Sequence, residues 1–136
     1  MRRLLLAVMI VALSTGFCFA ASPEKKAQIA AKNWLEMIDN KDYAQSYDSA
    51  SSFFKTIVNK SDWVQTCGSL RDMLGKAESR KLVSATRQNK MQGAPDGEYV
   101  ILVYKTDFKR KVGAQEIVVP MLDKDGKWRI SGYNID

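Results

Sequence analysis

The chain has 136 residues with 21 basic and 15 acidic side chains, a net charge of +6 and no histidine. Without imidazole the commonest general base and metal ligand is missing, which excludes Ser-His and Cys-His nucleophile pairs and histidine-built zinc sites. Any catalysis would have to rest on carboxylates, tyrosines, lysines or arginines. The opening MRRLLLAVMIVALSTGFCFAAS has the three parts of an export signal: Arg2 and Arg3, an apolar run from Leu4 to Leu13, and small residues at a cleavage point. The run is too short for a permanent membrane anchor. Cleavage after Ala20 puts Cys18 and Ala20 in the two positions that must be small, and Phe17 disfavours lipidation of Cys18. A signal at 1–20 and a single mature domain at 21–136 are therefore predicted, periplasmic or secreted, without stable membrane insertion. Losing Arg2 and Arg3 lowers the net charge from +6 to +4 and leaves 116 of the 136 residues, enough for one hydrophobic core. Cys67 is then the sole cysteine, so no internal disulfide forms.

Ser22, Pro23 and Glu24 read as an N-cap, a proline at the first helical position and an acid in the first turn. Ala27, Ala30, Ala31, Trp34, Leu35 and Ile38 follow at three- and four-residue steps, so the helix carries an apolar stripe that ends at Asn40. Tyr43, Ala44 and Tyr47 resume the pattern for about two turns. Phe53, Phe54, Ile57 and Val58 form an apolar segment that periodicity leaves between helix and irregular chain. Asn59 with Asp62 three residues on resembles a capping box, and Trp63, Cys67, Leu70 and Leu74 continue at helical spacing to Gly75, a glycine cap of the left-handed type. Cys67 lies in that stripe and reads as a small buried hydrophobe.

From Glu78 the period changes to two. Strands are predicted at 82–87, 99–108, 115–122 and 128–135, with YVILVY as a central strand and DKDGK as a hairpin turn. Strand following strand through short turns means an antiparallel sheet, and helices before a meander make the fold α+β: N-terminal helices on a curved antiparallel sheet of about four strands. Helices can cover only one face, and a sheet curled around them would leave a cone-shaped cavity. Alternation along GKWRISGY sets Trp128, Ile130 and Gly132 on one face and Arg129, Ser131, Tyr133 and Ile135 on the other, with Gly132 marking a bulge or a close approach that helps the sheet bend.

Four segments in this order, WLEMIDNKDYAQSYDSAS, WVQTCGSLRDMLGKAESRKLVSAT, GAPDGEYVILVYKTDF and VVPMLDKDGKWRISGYNI, resemble an exported bacterial family known as domain of unknown function 4019, similar to nuclear-transport-factor-2-like and cystatin-like folds. The resemblance covers residues 28–135. It implies that the first two helices close the mouth of a curved sheet, with Trp34, Tyr43 and Tyr47 as lid and core residues. It implies no activity, because folds of this type host isomerases, ligand binders and protein binders alike.

Trp34, Tyr47, Arg71, Arg80, Tyr104 and Trp128 are the candidate ligand-binding residues, as cavity wall or rim. Arg71 and Arg80 flank the helix-to-strand turn RDMLGKAESR; either they grip a carboxylate or phosphate, or they bond the last helical carbonyls and pair with Asp72 and Glu78. Tyr43, Tyr47, Asp48, Tyr104 and Asp107 supply the residue types of a cavity enzyme that combines a carboxylate base with tyrosine, but adjacent Tyr47 and Asp48 diverge by about 100° on a helix. Lys105, Lys109, Arg110 and Lys111 gather at a hairpin tip, a solvated loop or a contact for anionic surfaces. No phosphate loop, dinucleotide fingerprint, calcium loop or nucleophile elbow occurs. No catalytic residue, cofactor or metal is predicted, and nucleic acid is excluded as a partner for want of interleaved aromatic and basic residues. The function class is a non-catalytic module that binds a small ligand or an envelope protein, compatible with a homodimer.

Overall fold

The computed structural model describes residue 16 and residues 19–136; the apolar run of the predicted export signal and Cys18 lie outside the described residues. Ser22 is extended and its hydroxyl accepts from the Lys25 amide at 3.2 Å, which starts α1 (Pro23–Asp39) with Pro23 in its first turn. Ala27, Ala31, Trp34, Leu35 and Ile38 are buried along the predicted stripe. They lay α1 across all four strands of the sheet. Lys41 follows in the left-handed conformation at φ 63°, unusual for a residue with a Cβ.

The segment that periodicity left open is helical. After α2 (Tyr43–Asp48), α3 spans Ser52–Ile57 because Ser51 Oγ accepts from the Phe54 amide at 3.1 Å, while Asp123 accepts from Ser52 N and Oγ at 3.1 and 2.8 Å. Capping and a tertiary tether, rather than propensity, hold these six residues. In α4 (Lys60–Leu74), Asn59 Oδ1 accepts from the Asp62 amide at 2.9 Å, as the sequence indicates. Gly75 ends α4 with φ 77° and ψ −167°. This corrects the left-handed cap: the conformation is one essentially confined to glycine.

Strands β1 (Ala77–Gln88), β2 (Tyr99–Phe108), β3 (Lys111–Leu122) and β4 (Trp128–Ile135) form an antiparallel meander in the order β1-β2-β3-β4. Helices before a four-stranded antiparallel sheet give the predicted α+β class. β1 starts at Ala77 rather than Leu82; it is an edge strand, mostly exposed, so no burial alternation marks its beginning. β3 starts at Lys111 rather than Gln115, because KR alone makes the turn and Gly113, at φ 70°, absorbs a register shift opposite Asp107, whose carboxylate accepts from the Gly113 amide at 2.7 Å. A further shift between Val119 and Pro120 sets Val119 against Gly132 and Pro120 against Ile130, leaving Ser131 as the extra residue. The shift accommodates a proline that could not donate to a regular ladder. It also overturns the predicted faces of β4, for Trp128, Ile130 and Tyr133 all pack on the same core.

That core is aromatic. The Trp34 ring lies 5.8 Å from Trp63 and 5.1 Å from Tyr133, and Phe54 meets Trp63 edge-on at 5.0 Å. Trp34 Nε1 donates to the Ser46 carbonyl at 2.9 Å and Trp63 Nε1 to Ser46 Oγ at 3.0 Å, so neither indole is buried without a partner. The cluster occupies the space in which the sequence predicts a cone-shaped cavity, and the clefts described next lie at its margins.

Candidate functional site

A polar line crosses the apolar sheet with one residue from each strand: Arg80 on β1, Thr106 on β2, Glu116 on β3 and Tyr133 on β4. Register creates it, since Arg80 faces Thr106 and Thr106 faces Ala114, two residues before Glu116 on the same side of β3. Glu116 is fully buried. Its carboxylate accepts from Arg80 Nε at 2.6 Å, Thr106 Oγ1 at 2.9 Å and Tyr133 Oη at 2.5 Å, which supplies the partners a buried charge needs.

Arg80 uses its other edge on Asp39, the last residue of α1. Nη1 and Nη2 donate to the two Asp39 oxygens at 2.8 and 3.0 Å, and Arg71 Nη2 from α4 donates to Oδ1 at 2.9 Å. Two guanidiniums and two carboxylates thus balance, tying α1 and α4 to the sheet. Burial pushes the Asp39 carboxyl up, but the bonds and charge of Arg80, then of Arg71, outweigh it and hold it below the ordinary value. Burial acts against the Arg80 charge, yet the two carboxylates more than compensate and raise its pKa. Tyr133 is raised first by burial and then by the Glu116 charge, so its hydroxyl stays protonated and donates.

Outside this line opens a cleft of about 440 Å³ between the end of α1, α4 and the β2–β3 turn. Arg71 and Tyr43 line it, with Lys41, Asp72, Lys76, Lys109 and Arg110 around the rim. The basic hairpin tip is not a free loop: the Lys109 amide donates to the Lys76 carbonyl at 2.8 Å, the Arg110 amide to the Leu74 carbonyl at 2.9 Å, and Arg110 Nη1 to the Asp72 carbonyl at 2.9 Å. Glycine is favoured beneath it by its φ of 77°, and a Cβ at Gly75 would also press on Lys109 Cβ at 3.1 Å and displace the Arg110 side-chain end.

The candidate residues separate into four places. Arg71 and Arg80 meet through Asp39, so their partners are Asp39 and Glu116 rather than Asp72, Glu78 or terminal carbonyls. Tyr104 lies beside Arg80 in a second groove of about 440 Å³, lined also by Lys25, Ile29, Lys32 and Leu82. Trp34 and Trp128 flank a third cleft with Arg129. Tyr47 is apart from all of these, its hydroxyl donating to the Val58 carbonyl at 2.8 Å and its ring against Phe54. Sequence reasoning missed Asp39 and Glu116. Glu116 was detectable as an acid in the inward register of Ala114 and Val118, and Asp39 as an acid in the last turn of a helix, where the dipole disfavours one.

Among the described residues, no group of acidic or cysteine side chains is placed to hold a metal ion, and no helix is long and apolar enough to cross a membrane. The model of a family described as proteins of unknown function (DUF4019) matches residues 30–133, and the chain belongs to that family. No curated protein and no solved structure matches it.

Proposed function

We propose that this chain is an exported, non-catalytic binding module of the bacterial cell envelope, one mature domain from Ala21 onward, of the nuclear-transport-factor-2-like and cystatin-like kind. The ligand is a small molecule or a segment of an envelope protein, held at the cleft beneath the β2–β3 turn. One observation carries the reading: Asp39 and Tyr43 at this cleft are both driven away from the range in which proton transfer is useful. Asp39 is held ionised by Arg80 and Arg71, and Tyr43 is held protonated, by burial first and then by the neighbouring Cys67. A general acid or base works best with a pKa near the working pH. Charges fixed in this way are suited to recognition. The export signal in the sequence supports the envelope location.

A panel of envelope metabolites followed by thermal denaturation tests the reading. A ligand that binds only the folded chain adds about 2.7 kcal/mol of stability at a hundred times its Kd, and it should be recovered chemically unchanged. Turnover of a stabilising ligand would contradict the non-catalytic reading. Intact mass of the purified protein should give a chain beginning at Ala21, and an acylated Cys18 would contradict the soluble exported form.

A further inference from the structure

The described residues contain three buried side-chain polar atoms without a hydrogen-bond partner: Tyr43 Oη, Arg71 Nε and Arg71 Nη1. All three belong to residues lining the same cleft. Arg71 is 6% exposed, its charge bonded to Asp39 through Nη2 alone, with the Phe108 ring 5.0 Å from its guanidinium carbon. A buried guanidinium with two unpaired nitrogens is costly unless something accepts from them.

The charge around the cleft has the sign that such an acceptor would require. With Asp39 already balanced in the network, Lys41, Lys76, Lys109 and Arg110 face only Asp72, an excess of three positive charges. Asp72 offers little neutralisation, since its contact with Lys41 is 3.8 Å long and both side chains are more than 70% exposed. Lys41 is moreover held at this rim in a backbone conformation that glycine would adopt more easily.

We propose that this cleft is an anion site for a phosphate group, with Arg71 and Tyr43 donating from the floor and Lys41, Lys76, Lys109 and Arg110 supplying the surrounding field. Phosphate rather than a lone carboxylate follows from charge and donor number: the excess exceeds one, and a phosphate offers several strong acceptor oxygens to donors that converge from α2, α4 and the hairpin tip. A soluble phosphate ester and a lipid headgroup both carry such a group and share this chemistry. The assignment rests on the binding-module reading and specifies its ligand.

Calorimetric titration of the purified protein with inorganic phosphate, and sedimentation with phosphatidylglycerol vesicles, test it. Saturable phosphate binding that weakens with salt is expected. Lys109→Glu and Lys41→Gly should each weaken it, the charge reversal by roughly tenfold or more, with the melting temperature little changed. Lys32→Glu, in the other groove, should leave it unaltered. Phosphate binding without vesicle binding would identify a soluble ester as the ligand, and vesicle binding lost in the same variants would identify a headgroup. Absence of both, or binding that survives Lys109→Glu and Lys41→Gly together, overturns the proposal. A neutral ligand that stabilises the chain where phosphate does not would overturn it while leaving the binding-module reading intact.

Discussion

Trp34 concentrates three roles in one side chain: the centre of the α1 stripe, a ring in the aromatic cluster and the donor to the Ser46 carbonyl. Trp34→Ala should cost about 3–5 kcal/mol, whereas Lys32→Ala, turned about 200° around the helix, should change stability by about 0.5 kcal/mol or less. Equal urea midpoints for the two would show that the stripe does not pack the helix. Cys67 is a residue whose environment was readable in advance. It is buried, and burial pushes its thiol up to about 12. Native protein should therefore react slowly with thiol reagents at mildly alkaline pH and quickly once unfolded. Asp39 makes a prediction in pH. Its folded pKa is below the ordinary 3.8, so its contribution is complete above that value and is lost as pH falls through the folded one. Denaturant midpoints followed from neutral pH into acid should drop less steeply for Asp39→Asn than for the parent.

At the scale of elements, Gly75 decides how α4 gives way to β1. Its φ of 77° with ψ of −167°, and the close approach of the hairpin tip, predict a loss of about 1–3 kcal/mol for Gly75→Ala, measured by thermal melting. An unchanged melting temperature would mean that the tip is not seated on the turn. The two long helices and β2 were legible because their signals are local: Ser22 and Asn59 cap as their positions imply, and YVILVY is an unbroken apolar run, although Ile101 and Val103 are only half-buried and the strand is not covered equally on both faces. The early start of β1 was not, since an exposed edge strand has no burial period to read. The β4 faces failed at Ser131, where Pro120 on the neighbouring strand imposes the bulge. α3 needed Asp123, a partner 71 residues away. For the site, the two arginines were visible beside their turn, but their partners lie 32 to 41 residues off in sequence and depended on strand register.

For the whole molecule, the line from Tyr133 through Glu116 and Arg80 to Asp39 and Arg71 is both a tie and a platform. With Thr106 of β2, which also donates to Glu116, it joins four strands to two helices, and it holds Arg71 in the floor of the basic cleft. Arg80→Met removes the cation beside fully buried Glu116 and should cost about 3–5 kcal/mol, while adding Glu116→Gln should recover part of that loss. Equal losses for the single and double variants would show that the two side chains do not act as a pair. A phosphate seated in the proposed cleft would lie against Arg71, so nuclear magnetic resonance of the Arg71 Nε–H group during titration with inorganic phosphate reports on it at the floor of the site. A saturable shift of that resonance is expected, together with the amides of Gly75, Lys76, Lys109 and Arg110. Saturable shifts confined to the groove around Leu82 and Tyr104, or an Arg71 resonance that never moves, would contradict it.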